Sequence, residues 1–350
     1  MKKILFTLLS AAVAVSAAAG DKNYLRYVDP YIGAGGHGHV FVGACVPFGA
    51  IQIGPQNIFK GWDWCSGYHY SDNVLIGFSH THLSGTGCTD LGDIQIMPFT
   101  GEVRTRRGEQ DDISNSCSAH YRHENERVSP YFYSLTLDNG IHAELTASRR
   151  VAFHEYTFPA GEEARLLINL REGNGFQSFA SSLRLVDAHT VVGHRIVKGW
   201  APEHRVYFAL KSDRPIAELL VFNDDEPAGR NELEGEGVKG VVCFAGSVEK
   251  LALKVAVSSV STDNALENLR KEIPHWNFGT VMTAARDAWE KELERVDITT
   301  TDERAKRIFY TAMYHTMIAP TTYCDVNGEF RGHDNKIRKA GRTNYSTFSC

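Results

Sequence analysis

Between residues 24 and 259 the apolar positions come in short runs, at 51–53, 75–78, 94–97, 131–137, 142–146, 151–158 and 165–170, then at 183–185, 206–210, 241–244 and 251–257. Many of these runs alternate apolar and polar residues, and turns such as Asp138-Asn139-Gly140 separate them. Successive side chains of a strand point to opposite faces, so this pattern predicts antiparallel sheets with one face in water. The predicted architecture is a large β-sandwich. The texture then changes. Thr262-Asp263 can cap a helix that runs through Glu272 and stops before Pro274, a second helical pattern covers about 281–295, and a third covers 302–317 and ends before Pro320. In the third, Ile308, Ala312, Tyr314, His315, Met317 and Ile318 recur at helical spacing and form an apolar stripe that needs a partner surface.

The first residues read differently. Lys2 and Lys3 precede an apolar run from Ile4 to Val15, and Ala17-Ala18-Ala19 follows where a signal peptidase needs small residues. Residues 1–19 are expected to be a cleaved secretion signal, with the mature protein exported to the periplasm or the cell surface. The run falls far short of the roughly 20 residues of a membrane span, and no later window qualifies, so no membrane span is expected. Formal charge is 37 basic against 42 acidic residues, or −5. Without a basic patch, nucleic acid is excluded as a partner. Seven cysteines at 45, 65, 88, 117, 243, 324 and 350 form no CxxC, which removes the zinc-ribbon and thioredoxin readings. Cys45, Cys65 and Cys88 are expected to be buried free thiols.

Candidate chemistry concentrates in residues 29–93, where glycine, histidine, tryptophan and serine crowd together without helical or strand period, as in loops that approach a ligand. Gly33-Ala34-Gly35-Gly36-His37-Gly38 matches GxGxxG, but Val46-Pro47-Phe48-Gly49 breaks any following helix, so no dinucleotide site is expected. His37, His39, His69, His80 and His82 allow a zinc or copper site, or polar loop contacts, or ligand contacts; no third metal ligand is evident in the sequence. Ser66, Ser79 and Ser84 lack the GxSxG elbow and the SxxK pattern of serine hydrolases. Trp62 and Trp64, with Asp63 and Ser66, suit sugar binding, since an indole face covers the C–H patch of a pyranose while polar groups take its hydroxyls.

Three motifs in order carry a resemblance: residues 28–33 through Gly38-His39, Trp64-Cys65-Ser66-Gly67-Tyr68-His69-Tyr70, and Gly77-Phe78-Ser79-His80-Thr81-His82-Leu83-Ser84-Gly85-Thr86-Gly87. Together they resemble the N-terminal region of glycoside hydrolase family 92, the calcium-dependent exo-α-mannosidases. Residues 310–315 and 341–349 resemble the start of that family's helical domain. The resemblance implies a mainly β chain: a β-sandwich over 20–261, linker helices over 262–300, and over 301–350 the truncated start of an (α/α)6 catalytic barrel whose remainder would be the missing partner. It implies an inverting mechanism on mannose-containing oligosaccharides such as N-glycans, with Ca2+ as cofactor. The catalytic acid, the catalytic base and the calcium ligands are expected beyond Cys350, so the chain alone is expected to be inactive. Gly35, Gly36 and His37, together with Trp62, Trp64, Cys65, Ser66 and Tyr68, would supply the sandwich side of the substrate cleft. The competing expectations are a stand-alone carbohydrate-binding β-sandwich without catalysis and a small metalloenzyme built on the histidines.

Overall fold

A computed structural model describes residues 23–109 and 112–346. The expected secretion signal and Cys350 lie outside them. Two antiparallel sheets face each other. One has eight strands, with Ala164–Asn169 and Val238–Phe244 at its middle; the other has ten, with Val151–Thr157, His204–Ser212 and Lys250–Ser258 at its middle. Between them lies one continuous core that includes Ile53, Phe78, Ile96, Tyr133, Leu166, Phe208, Val241 and Val255. The predicted sandwich is present. Strands at Ala119–Ser129, Thr190–Val197 and Ile216–Asn223 join those read from the sequence.

The outer face of the ten-stranded sheet is not simply wet. Helix α1 (Thr262–Glu272) and helix α2 (Phe278–Leu293) cover its middle, where Val151, Phe153, Ala209 and Ala256 pack against Ala265, Leu269, Ile273, Phe278 and Val281. This explains why 250–258 is nearly continuously apolar, since a strand covered on both faces has no solvent side to mark. Lys254 is buried in that strand and donates to the Ile273 carbonyl at 2.9 Å, with its ammonium 4.0 Å from the centroid of the Trp276 ring. Burial lowers its pKa to about 8.

Each helix starts on a side-chain cap. Ser261, one residue before the expected Thr262-Asp263, caps α1 by accepting from the Asn264 amide, Asn277 caps α2, and Asp302 caps helix α3 (Glu303–Thr316). Helix α2 opens at Phe278, three residues before the start read from the sequence. The apolar stripe of α3 divides. Tyr310, Tyr314, Met317 and Ile318 are buried with Trp289, Leu293, Phe41 and the Tyr24 and Tyr27 rings, whereas Ile308 is 53% exposed and Ala312 faces solvent. The helices are fastened to the sandwich by specific bonds. The Trp289 indole donates to the Cys45 carbonyl at 2.7 Å, and Arg150 pairs with Glu272 at 2.6 Å while donating to the Cys324 carbonyl at 2.6 Å.

Candidate functional site

Three loops meet at one end of the sandwich. The first, residues 33–39, turns at Gly36 with φ +57° and is pinched at Gly38, where a Cβ would lie 2.1 Å from the Gly33 carbonyl oxygen. The second contains a 3-10 turn, Trp62–Trp64. The third, residues 84–88, is bonded to the first, where the Gly85 amide donates to the His39 carbonyl at 2.7 Å. His37 donates from Nδ1 to Asp63 Oδ1 at 2.6 Å, and this bond, with a weaker one from His39 at 3.4 Å, holds the Asp63 carboxyl below its ordinary range. The Trp62 ring meets His39 edge-on at 4.1 Å between centroids and donates to the Gly87 carbonyl at 3.0 Å, yet remains 57% exposed. Trp64 stacks on His69 at 4.3 Å and donates to Asp72 at 2.9 Å, while His69 Nε2 donates to the Gly36 carbonyl at 3.3 Å.

Gly35, Gly36, His37, Trp62 and Trp64 are thereby brought to one surface, with the first four exposed and Trp64 half-buried. Cys65, Ser66 and Tyr68 are buried beneath it. The Cys65 thiol donates to the Thr86 carbonyl at 3.2 Å, the Ser66 hydroxyl to the Tyr68 carbonyl at 3.2 Å, and the Tyr68 hydroxyl to Glu126 at 3.0 Å. These three side chains are engaged within the protein and hold the loops from below. Cys45 is likewise a buried free thiol, while Cys88 is only half-buried.

His80 and His154 are fully engaged by protein groups, and His82 at one nitrogen only. His80 Nδ1 donates to the Ile94 carbonyl at 2.6 Å, which leaves Nε2 to accept from His154 at 3.0 Å; His154 Nδ1 in turn accepts from the Tyr156 hydroxyl at 2.8 Å. His82 Nδ1 donates to the Gln52 carbonyl at 2.9 Å. Burial pushes both His80 and His82 down to about 4, so both are neutral at pH 7. HxH does not place two ligands side by side on a strand here: His37 and His39 stand in a loop, His80 enters the core and His82 lies against Gln52. Among the described residues, no three His, Cys, Asp or Glu side chains are grouped to hold a metal ion.

Behind the surface, Asp93 is fully buried between Arg195, His204 and Thr81, with His204 at 2.9 Å and Thr81 at 2.7 Å. Burial alone would raise its carboxyl; the His204 and Arg195 charges outweigh that and hold it well below the carboxylate range. A cavity of about 300 Å³ opens beside this network, between the sandwich and the segment after α3, where Gln52, His82, Arg150, His204, Thr322 and Asp325 contribute to its wall. It shares Ser84 and Thr86 with the third loop but includes neither His37 nor Trp62. Sequence reading missed this cavity, because its residues come from six separate stretches of the chain and form no local motif.

Calcium takes six to eight oxygen ligands. In the cavity wall Asp325 already accepts from Ser258, Asn264 and Asn268 at 2.7, 2.8 and 2.7 Å, Asp93 behind it is enclosed by the donors named above, and among the described residues no further carboxylates are grouped with them. The described residues therefore do not fit a calcium site.

The glycosyl hydrolase family 92 N-terminal domain matches residues 27–258, and the catalytic domain of the same family matches residues 264–350. A solved family GH92 α-mannosidase of Bacteroides thetaiotaomicron is 36% identical and superposes with a TM-score of 0.88 over 93% of this chain and 45% of its own; it has also been solved in complex with mannoimidazole. An inverting family GH92 mannosidase of the same organism, 24% identical over 93% of this chain and 44% of its own, shares the fold with a TM-score of 0.80. A protein of Arthroderma benhamiae described as an uncharacterized secreted glycosidase is 25% identical over 92% of this chain and 45% of its own. The chain thus spans under half the length of these relatives. The described helices include none long and apolar enough to cross a membrane. With two successive domains matched in order along nearly the whole described chain, this protein belongs to glycoside hydrolase family 92.

Proposed function

We propose that this chain supplies the sandwich side of the sugar cleft of a secreted exo-α-mannosidase that trims mannose from N-glycans with inversion. The observation that carries the reading is the convergence of the 33–39, 62–64 and 84–88 loops on an exposed Trp62, flanked by the His37–Asp63 pair. An exposed indole held by a hydrogen bond at its Nε1 offers a pre-set apolar face for a pyranose, and a carboxylate and an imidazole beside it can take ring hydroxyls. The mannoimidazole complex of the 36% identical relative supports mannose as the sugar.

Inverting hydrolysis needs two carboxyl groups about 6.5–9.5 Å apart on opposite faces of the sugar. Among the described residues Asp63 is the carboxylate of this surface, and its bonds to His37 and His39 suit sugar contact rather than either catalytic role. The acid, the base and the calcium that the family resemblance implies would then come from outside the described residues, and no step of this reading passes through the ion. The mature protein would work in the periplasm or at the cell surface.

Calorimetric titration of the chain with α-linked mannobiose, alongside an assay for released mannose with calcium and with chelator, tests this. Saturable binding without release is expected. Absence of binding would overturn the reading, and calcium-dependent release would place the catalytic carboxylates within this chain.

A further inference from the structure

The first loop carries two histidines in opposite surroundings. The His37 side chain stands in solvent, whereas His39 is buried. The His39 backbone is left-handed, with φ +53°, a conformation uncommon outside glycine and kept only where neighbouring groups fix it. Two bonds fix it here. The Gly85 amide donates to the His39 carbonyl at 2.7 Å, and the imidazole Nε2 donates to Asp63 Oδ1 at 3.4 Å. Held in this way, the imidazole meets the Trp62 indole edge-on, with 4.1 Å between centroids and 78° between planes. His39 therefore belongs to the first loop and contacts both of the others, the second at Trp62 and Asp63 and the third at Gly85.

The Trp62 ring needs such a contact. Its Nε1 donates to the Gly87 carbonyl at 3.0 Å, and a Cβ on Gly87 would lie 2.6 Å from that nitrogen, so the indole is seated against bare backbone at one corner. One hydrogen bond fixes that corner and leaves the tilt of the ring free. The His39 imidazole supplies a second point of support; the His37 ring stands farther off, at 5.8 Å and tilted. Tilt matters for recognition, because only the face of the indole covers the C–H patch of a pyranose. An aromatic ring already held at its bound angle also loses less freedom when the sugar arrives.

We infer that His39 is a positioning residue of the sugar surface: anchored by Gly85 and Asp63, it sets the plane of the Trp62 indole and acts on sugar affinity through that ring. The inference rests on the sugar-cleft reading above and deepens it, since part of the affinity of an exposed residue is assigned to a buried one behind it.

The test uses H39N, because asparagine accepts a left-handed backbone while removing the ring, and H39Q, which keeps a donor for Asp63 without the ring. Mannobiose affinity is measured by calorimetry on the wild-type chain, W62A, each His39 variant, and each combined with W62A. Both His39 variants are expected to weaken mannobiose by about three- to tenfold, the span of one edge-on aromatic contact, and to weaken it by less than about twofold once Trp62 is gone, since residues that act through one contact are not additive. A second readout needs no sugar: hydrogen exchange of the Trp62 indole N–H, whose signal is identified by its absence in W62F, should be faster in both His39 variants. Wild-type affinity in the His39 variants, an equal loss with and without Trp62, or unchanged indole exchange would overturn the inference while a weakened W62A keeps the Trp62 reading. If the wild-type chain binds no mannobiose, both are overturned.

Discussion

Two aspartate–histidine pairs in this molecule are built from the same groups and placed at opposite extremes of exposure. Asp93 and His204 meet at 2.9 Å in the interior with Arg195 completing the carboxylate's partners, whereas His37 and Asp63 meet at 2.6 Å on the surface, with the His37 side chain 77% exposed. In the interior every donor and acceptor must be matched, because an unpaired charge there has no water to turn to. At the surface the pair can exchange its partner for a ligand's hydroxyl at little cost. The difference suits the first to structure and leaves the second available to a ligand, although residue type alone would treat them alike.

The comparison breaks most readily at its buried end. R195A strands the Asp93 carboxylate, so a loss of about 3–5 kcal/mol in urea unfolding is expected; a loss below about 1 kcal/mol would mean the network is not what holds the sandwich end together.

Acid should act next. His80 and His82 are kept neutral by burial, with folded values near 4 against an ordinary value of about 6.5. Between these limits the unfolded chain takes up protons that the folded chain refuses, so stability is full above about pH 6.5 and falls as pH drops toward 4. Asp93 is also displaced downward, but because its charged form is favoured, so it keeps its contribution down to its unfolded value of about 3.9 and loses it only below that. The urea midpoint should therefore be lower at pH 5.0 than at 7.5, and equal midpoints would count against neutral buried histidines.

The smallest effect on stability is expected at the surface pair. D63N should leave the urea midpoint unchanged while weakening mannobiose, and a large loss of stability would place Asp63 with the structural group instead.

The sandwich was legible because the sheets' inner faces impose a period of two over long stretches, and the stops of α1 and α3 because Pro274 and Pro320 lie beyond them; the starts at Ser261 and Asn277 were placed one and three residues late, since several polar residues there could cap equally well. The strand Thr190–Val197 was harder to read, since it is buried over nearly its whole length and shows no alternation. The α3 stripe misled for a related reason: periodicity counts Ile308 with Tyr314, but only the positions turned toward Tyr24, Phe41 and Trp289 find partners. At the candidate site, the motifs pointed to loops that the structure brings together. They could not separate Trp62, which is exposed, from Cys65, Ser66 and Tyr68, which lie beneath, because burial depends on the Thr86 and Glu126 partners that arrive from elsewhere in the chain.

The central claim is that the exposed loops recognise sugar and the buried network does not. Its most direct test is W62A, measured for both mannobiose affinity by calorimetry and urea midpoint. The account expects affinity to fall by about 1 kcal/mol or more, roughly fivefold, with the midpoint unchanged. Wild-type affinity in W62A would contradict it.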